Sequence, residues 1–179
     1  MLTPHITVIT GCMFSGKTEE LIRQLKRAKI AGLNTIIFKP AKDTRNHKNI
    51  SARNGNSLNA ITVNSANDIL IHINERHEVI GIDEGQFFES DLIPIVVQLV
   101  RSGKSIIISG LDLDFNEKPF QTMSELTALA YPVIKLTAVC TKCKTKEATR
   151  SQRIVDCCDR EMVGDKEYEA RCLQCYKPQ

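Results

Sequence analysis

A glycine-rich loop with the sequence GCMFSGKT, at residues 11–18, carries the strongest chemical signal in this chain. It fits the pattern G-x-x-x-x-G-K-[S/T], in which backbone N–H groups surround phosphate oxygens. In such a loop Lys17 is expected to reach the outer phosphates and Thr18 to ligate Mg²⁺. A β-branched run at 6–10 precedes the loop, and a helical pattern follows it until Gly32. Because a helix N-terminus attracts anions, this order predicts a nucleoside triphosphate site rather than a chance glycine turn.

Two neighbouring acids, Asp83 and Glu84, follow an apolar run that begins at Val79 and is typical of a buried strand. An acid at the end of such a strand is the expected second ligand of Mg²⁺. Glu84 is then a candidate general base for an attacking hydroxyl or water. Both acids should face the crevice at the carboxyl ends of the strands. The alternative is a pair of solvated turn carboxylates.

Four of the six phenylalanines fall in two loops after the predicted strands. Phe87 and Phe88 follow Glu84, while Phe115 and Phe120 follow the strand pattern at 105–111. Aromatic side chains beside a phosphate site suit a substrate with a flat ring. They would equally suit core packing beneath the loops, so these residues alone leave the choice open.

Two Cys-x₂-Cys pairs predict a metal site near the C-terminus. The pairs are separated by 28 residues, and each pair suits one edge of a tetrahedron. Together they predict a Cys₄ structural zinc site with the ligands Cys140, Cys143, Cys172 and Cys175. Four thiolates leave no open position for water, so the metal is assigned to structure and not to chemistry. Cys157 and Cys158 are either competing ligands or, more simply, free thiols between the pairs.

The elements that must position these groups alternate between strand-like and helix-like patterns over the first three quarters of the chain, which predicts a parallel sheet with helices on both faces. Helical patterns follow the glycine-rich loop, run from Ser65 to about Arg76, and occur at 91–101 and 124–130. Further strands are expected at 35–39, 79–83, 105–111 and 133–139, with a long polar loop at 40–60. We expect two domains, a nucleotide-binding domain at 1–139 and a zinc-binding domain at 140–179.

The composition is that of an ordinary globular protein. The chain has 179 residues and a net charge of +3, which is too small to argue for a nucleic-acid or membrane partner. No apolar run approaches the length of a membrane span, and the N-terminal sequence lacks the pattern of a signal peptide. We therefore expect a cytoplasmic protein whose seven cysteines form no structural disulfides.

In their order along the chain, these motifs resemble the cytosolic-type (type II) thymidine kinases over essentially the whole length. The matching segments are the glycine-rich loop, KDTR at 42–45, DEGQFF at 83–88, GLDLDF at 110–115 with Phe120, and the two cysteine pairs. Each motif alone is weak evidence, but their conjunction is specific. The resemblance implies a P-loop (RecA-like) α/β fold, phosphoryl transfer from ATP to the 5′-hydroxyl of thymidine to give dTMP, and a homotetramer without nucleic-acid or membrane partners.

The resemblance also implies roles for particular residues. The donor phosphates would be held by Gly11, Met13, Phe14, Ser15, Gly16, Lys17 and Thr18, with Thr18 and Asp83 serving Mg²⁺. Glu84 would be the base and Arg45 would stabilise developing charge, while Asp43 would face the 3′ side of the sugar. The wall around thymine would comprise Met13, Phe87, Leu111, Phe115 and Phe120. The chain between Cys143 and Cys172, the lasso, would cover the base with Val163, Gly164 and Tyr168.

Two positions depart from the family pattern. The lasso has Met162-Val163-Gly164 where successive glycines or an Ile-Gly pair are usual, and Arg53 stands where histidine is usual, so Arg53 receives no role. Two other functions remain as alternatives. One is a zinc-ribbon ATPase that binds nucleic acid through the basic run at 142–153, although a solvated basic face is favoured because aromatic residues are not interleaved. The other is a nucleotide-dependent switch protein in which Glu84 positions water.

Overall fold

The structure is a computed structural model that describes residues 3–44, 49–155 and 162–178. Its elements are, in order, β1 (Ile6–Gly11), α1 (Lys17–Ile30), β2 (Thr35–Pro40), β3 (Asn49–Ser51), β4 (Ser57–Asn59), β5 (Ile61–Val63), α2 (Ala66–His72), β6 (Val79–Ile82), a 3₁₀ turn (Gly85–Phe87), α3 (Leu92–Arg101), β7 (Ser105–Gly110), α4 (Gln121–Leu129), β8 (Val133–Leu136), β9 (Ala138–Val139), β10 (Glu147–Ala148), β11 (Arg150–Arg153) and β12 (Tyr168–Arg171).

A six-stranded sheet with the order β5-β2-β6-β7-β1-β8 forms the centre of the molecule. Every neighbouring pair in this sheet is parallel. The prediction of a P-loop α/β fold with a parallel sheet is therefore confirmed. The carboxyl ends of β1, β6 and β7 lie side by side, which brings the glycine-rich loop, the two acids and the 110–120 loop to one edge.

The two faces of the sheet are covered by different helices because side chains alternate along each strand. On one face Ile9 and Ile107 pack with Leu21 and Leu25 of α1. On the other face their strand neighbours pack in the larger cluster that includes residues of α2, α3 and α4. Helix α1 comes so close to the sheet that a Cβ at Gly81 would lie 2.8 Å from a methyl group of Leu25. Burial on both faces explains why the central strands are nearly continuous apolar runs.

The polar stretch at 40–60 is not one long loop, as its composition suggested. Strands β3 and β4 form a short antiparallel hairpin within it. Strand β5, which the sequence did not reveal, then pairs with β2 at the edge of the sheet. Three-residue strands carry too little periodicity for sequence reading, and their formation depends on pairing partners elsewhere in the chain.

Two helix boundaries differ from expectation, although α2 begins as predicted, directly after Ser65, which forms a capping box with Asp68. The Asp68 carboxylate accepts a hydrogen bond from the backbone N–H of Ser65 at 3.0 Å. Helix α2 ends at His72 instead of near Arg76, because the backbone turns extended at Ile73 and a turn closed by His77 follows. Helix α4 begins at Gln121, three residues earlier than expected, with Phe120 as its N-cap.

The strand expected at 133–139 is divided between two sheets. Strand β8 completes the edge of the central sheet next to β1, whereas β9 pairs with β10 in the cysteine-containing segment. Strands β11 and β12 form a second antiparallel pair there. Within the described parts of the chain, no helix has the length and apolar character needed to cross a membrane.

Candidate active site

The glycine-rich loop joins β1 to α1 in the order that the sequence predicts. Gly16 has a φ of 84° immediately before α1, a conformation that glycine adopts without steric cost. Lys17 is the first residue of the helix, and its Nζ donates to the carbonyl of Cys12 at 2.7 Å. The Ser15 hydroxyl donates to the same carbonyl at 2.8 Å. These bonds hold the loop in a compact turn over the helix N-terminus, which favours an anion.

We call the space beside this loop the phosphate cavity; it is lined by Met13, Phe14, Gly16, Lys17, Thr18, Glu19, Ser51, Ala52, Arg53, Glu84 and Asp165. Burial lowers the pKa of the Lys17 amine, and the negative charge of Glu84 opposes that shift. Arg53 adds a second cation at the rim, where its guanidinium stacks on the Phe14 ring at 4.0 Å and pairs with Asp165 at 3.0 Å. The cavity therefore offers backbone amides and two cations to a polyphosphate.

Asp83 lies at the end of β6, buried, with hydroxyl groups on two sides. Thr18 donates to its carboxylate at 3.1 Å, and Ser109 of β7 also donates to it. The structure thus brings together the two residues expected to serve Mg²⁺. A hydroxyl and a carboxylate oxygen are suitable hard ligands for that ion, so the donor set fits it.

Glu84 follows in a left-handed conformation with a φ of 53°. Its carboxylate accepts a 2.5 Å hydrogen bond from the side-chain amide of Gln86. The Gln86 side-chain oxygen in turn accepts from the backbone N–H of Leu111 at 2.9 Å. Gln86 is buried, so this bridge connects the two loops at the carboxyl ends of β6 and β7 in a fixed arrangement. The sequence alone indicated no role for Gln86, although this residue lies within the DEGQFF segment.

A second space, the apolar pocket, lies on the other side of Glu84. It is lined by Met13, Glu84, Gln86, Phe87, Leu111, Leu113, Asp114, Phe115, Phe120, Ser151, Met162, Val163, Gly164 and Tyr168. All five residues expected around a flat ring occur here, together with the three expected from the lasso. Met13 and Glu84 line both the apolar pocket and the phosphate cavity. The two spaces therefore meet at the Met13 side chain and the Glu84 carboxylate.

Of the two other predicted site residues, the structure describes Asp43. Asp43 is buried and forms an ion pair with the buried Lys39 at 2.9 Å. It lines a small polar space shared with Thr18 and Asp83, and it is not among the described residues of the apolar pocket. Arg45 falls outside the described residues, as do Cys157 and Cys158.

The four cysteines of the two pairs converge in a single cluster. Their sulfur atoms all lie within 4.8 Å of one another, and the Cys143 and Cys172 sulfurs are 4.0 Å apart. Tetrahedral zinc with Zn–S bonds of about 2.3 Å requires sulfurs roughly 3.8 Å apart, so the set fits the metal. A hydrogen bond from Thr145 lowers the pKa of Cys143 to about 6, which favours its thiolate, whereas a hydrogen bond with Cys172 raises the pKa of Cys175 to about 12.

This cluster packs directly against the glycine-rich loop. Cys12 is buried among Cys140, Ala148 and Cys172, and its thiol donates to the Ala148 carbonyl at 3.2 Å. Burial raises the pKa of the Cys12 thiol, so it remains a neutral packing group. The backbone N–H of Met13 also donates to the Ser151 hydroxyl of β11 at 2.9 Å. Ser151 gave no signal in the sequence, because its contact spans 138 positions.

The basic run at 142–153 is only partly a solvated face, which corrects the interpretation favoured above. Its three lysines are exposed. Arg150, however, forms an ion pair with Glu117, and Arg153 is buried with its guanidinium 3.6 Å from the centre of the Phe115 ring. Both arginines face the protein, which leaves less basic surface for a nucleic acid.

The fold and site define a P-loop protein of the α/β class with a four-cysteine cluster, suited to a metal, beside its phosphate cavity. The family model for thymidine kinase matches residues 4–176. A thymidine kinase of Mycoplasma mobile is 44% identical over 173 residues, which cover 96% of this chain and 86% of the relative. One of Mycoplasma genitalium is 44% identical over 170 residues (92% and 79%), and one of Coprothermobacter proteolyticus is 46% identical over 175 residues (93% and 87%). The chain belongs to the thymidine kinase family.

Among solved structures, domain III of the Thermotoga maritima replication initiation protein DnaA aligns with 73% of this chain and 54% of that chain. The sequence identity is 17% and the TM-score is 0.43, which is too weak a likeness to bear on function.

Proposed function

We propose that this enzyme transfers the γ-phosphate of ATP to the 5′-hydroxyl of thymidine and releases ADP and dTMP. Membership of the thymidine kinase family makes thymidine phosphorylation its activity. The observation that carries the proposal is the meeting of the phosphate cavity and the apolar pocket at Met13 and Glu84. A kinase needs this arrangement, because donor and acceptor must approach in line.

On the donor side, the amides of the glycine-rich loop and Lys17 hold the phosphates of ATP. Gly11, Phe14, Ser15 and Gly16 shape the loop, and Thr18 and Asp83 hold Mg²⁺. The ion, when bound, neutralises charge that develops on the phosphate oxygens. Support comes from the 3.1 Å separation of the Thr18 and Asp83 oxygens and from the compact turn around the Cys12 carbonyl.

On the acceptor side, Glu84 takes the proton from the 5′-hydroxyl as that oxygen forms its bond to the γ-phosphorus and the bond to ADP breaks. The hydrogen bond from Gln86 restricts the Glu84 carboxylate to the junction between the two spaces. Arg45 is assigned by resemblance to the developing charge. Asp43 is assigned by resemblance to the sugar, and its place beside Thr18 and Asp83 puts it within the same polar region.

Thymine occupies the apolar pocket between Met13, Phe87, Leu111, Phe115 and Phe120. Val163 and Gly164 bond the base through their backbone groups, and Tyr168 closes the pocket. The pocket excludes water from the junction, which protects ATP from hydrolysis. Specificity then follows from polar pairing to the edge of the base in a dry site.

We further propose a division into a kinase domain at 1–139 and a zinc-binding domain at 140–179. Support comes from the cysteine cluster and from the β11–β12 pair, a small sheet of the C-terminal segment that is separate from the central sheet. Zinc is structural in this proposal, and a cytoplasmic homotetramer without nucleic-acid or membrane partners is the form implied by the family resemblance.

Incubation with labelled ATP, Mg²⁺ and a panel of deoxynucleosides tests the function. We expect labelled dTMP in a one-to-one ratio with ADP, and little product from purine deoxynucleosides. If no deoxynucleoside is phosphorylated but ATP hydrolysis rises on addition of DNA, the proposal is wrong and the nucleic-acid-binding ATPase is favoured. Hydrolysis without either partner would favour the switch protein.

A further inference from the structure

Arg153 is the most deeply buried cation in the described part of the C-terminal segment, with 1% of its surface exposed. It is the last residue of β11, and the register of the β11–β12 pair places it opposite Tyr168. Burying a guanidinium is costly unless its surroundings compensate for lost hydration. The burial of Arg153 therefore needs an explanation, which a solvated basic surface does not provide.

The contacts of Arg153 join two parts of the apolar pocket from outside. Its guanidinium lies 3.6 Å from the centre of the Phe115 ring and 5.5 Å from that of Tyr168. Its Nη2 donates to the Tyr168 hydroxyl at 3.0 Å, and that hydroxyl donates to the Met162 carbonyl at 3.1 Å. Phe115 belongs to the 110–120 loop, whereas Met162 and Tyr168 belong, like Arg153 itself, to the lasso. All three line the pocket, but Arg153 is absent from its described lining.

We propose that Arg153 is a positioning residue that holds the Phe115 ring and the Tyr168–Met162 contact of the lasso in place for the nucleoside base. The role rests on the proposed function of the pocket as the thymidine site. A planar guanidinium stacks on an aromatic ring while its N–H groups donate in the guanidinium's own plane, so one side chain orients both Phe115 and the Tyr168 hydroxyl. Because Arg153 acts through these residues, it should affect binding of the acceptor more than binding of the donor.

The test compares Arg153→Met and Arg153→Lys with the wild type by calorimetric titration of thymidine and by steady-state kinetics. We expect Arg153→Met to weaken thymidine binding about tenfold or more, the size expected for loss of a desolvated cation–π contact. KM for thymidine should rise in parallel, while KM for ATP changes less than about twofold by the same reasoning. Arg153→Lys keeps the charge without the planar fork, so it should rescue binding only partly.

Tyr168→Phe separates this role from general stability. It removes the hydroxyl that links Arg153 to Met162 but keeps the ring, so its effect on thymidine affinity should not add to that of Arg153→Met. Arg171→Met is the matched control, since it removes a cation from the neighbouring strand β12 that pairs with Glu169 instead. This control should retain wild-type affinity for thymidine. Thermal unfolding and zinc content of every variant show whether it is folded.

Four outcomes would overturn the inference. The first is a folded Arg153→Met protein with unchanged thymidine affinity. The second is equal weakening of thymidine and ATP binding, with additive effects of Arg153→Met and Tyr168→Phe, which would indicate a merely structural arginine. The third is a wild-type protein that binds ATP but no thymidine, which would remove the proposed function itself and this role with it. If the Arg153→Met variant does not fold, the Tyr168→Phe variant tests the inference instead. Unchanged thymidine affinity of Tyr168→Phe is the fourth outcome that would contradict it.

Discussion

Glu84 has a backbone conformation that is uncommon for a residue with a side chain, because its φ of 53° lies in the left-handed region. The chain passes there from the buried end of β6 into the 3₁₀ turn within two residues, Asp83 and Glu84. Such conformations cost roughly 1–3 kcal/mol and persist where the surroundings hold them. Here Gln86 bonds the Glu84 carboxylate and the Leu111 backbone, so the strained residue is held between two loops at the junction of both cavities.

Replacement of Glu84 by Gln should retain binding of both substrates and lower kcat by about 10²- to 10⁴-fold, the usual contribution of a general base. The amide keeps the shape of the side chain but cannot take the proton of the hydroxyl. Steady-state kinetics with equilibrium binding of ATP and thymidine measures both quantities. Glu89→Gln is the matched control, because Glu89 is exposed and should leave turnover unchanged. Wild-type turnover in the Glu84 variant would exclude Glu84 as the base.

The site residues that the sequence predicts are those whose roles follow from the spacing of residues within a short motif. The glycine-rich loop and the acids after β6 belong to short motifs, and the structure gathers them at one edge of the sheet. The roles of three other residues could not be predicted, because their partners lie far away in the sequence. The contact spans 25 positions for Gln86, 138 for Ser151 and 15 for Arg153. The roles of these side chains depend on neighbours that only the folded chain brings close. The prediction of Arg153 as a surface cation was wrong for that reason.

At the level of elements, β1 ends in a close approach to the edge strand β8. A Cβ at Gly11 would lie 2.2 Å from the Leu136 carbonyl oxygen, and Gly11 has a φ of 142°. Its pairing with Leu136 holds the glycine-rich loop next to the sheet edge. Gly11 thus serves both the phosphate motif and the strand packing, which the motif alone does not reveal.

Gly11→Ala should be strongly destabilising, and its comparison with Gly103→Ala separates two causes. Gly103 also has a positive φ, 91°, but a Cβ there would meet nothing within 4 Å. Its replacement should cost roughly 1–2 kcal/mol from conformation alone. Gly11→Ala adds a clash with backbone, for which overpacking suggests roughly 1–3 kcal/mol more. Urea denaturation measures both values, and equal destabilisation would show that the β1–β8 approach relaxes.

Strands and helices with long apolar periods were predictable, whereas short pairings were not. The four inner strands of the sheet and α1 and α3 matched their patterns closely, since both faces of the sheet are buried. The β3–β4 hairpin, β5 and the division of the last expected strand into β8 and β9 depend on which partner each segment meets. Three residues of strand propensity cannot specify that partner.

Across the whole molecule, the C-terminal segment contacts both halves of the proposed site. On the donor side, Cys12 packs in the cysteine cluster and Met13 bonds to Ser151. On the acceptor side, the Tyr176 hydroxyl donates to the Phe115 carbonyl at 2.5 Å, immediately after the last cysteine. Because this segment has few apolar residues of its own, we expect its geometry to depend on a metal held by the four cysteines. Loss of zinc should therefore disturb binding of ATP as well as thymidine.

Cys172→Ser tests this dependence in the full chain. Elemental analysis should find about one zinc per wild-type chain and much less in the variant, since removing one thiolate opens a structural site. Thermal unfolding should begin at lower temperature, and calorimetry should show weaker binding of both substrates, with the ATP effect transmitted through Cys12 and Met13. Cys157→Ser is the control, because the four-thiolate set is complete without Cys157 and should retain its zinc. A zinc-free Cys172→Ser protein that unfolds at the wild-type temperature and binds ATP normally would show that the metal does not support the glycine-rich loop.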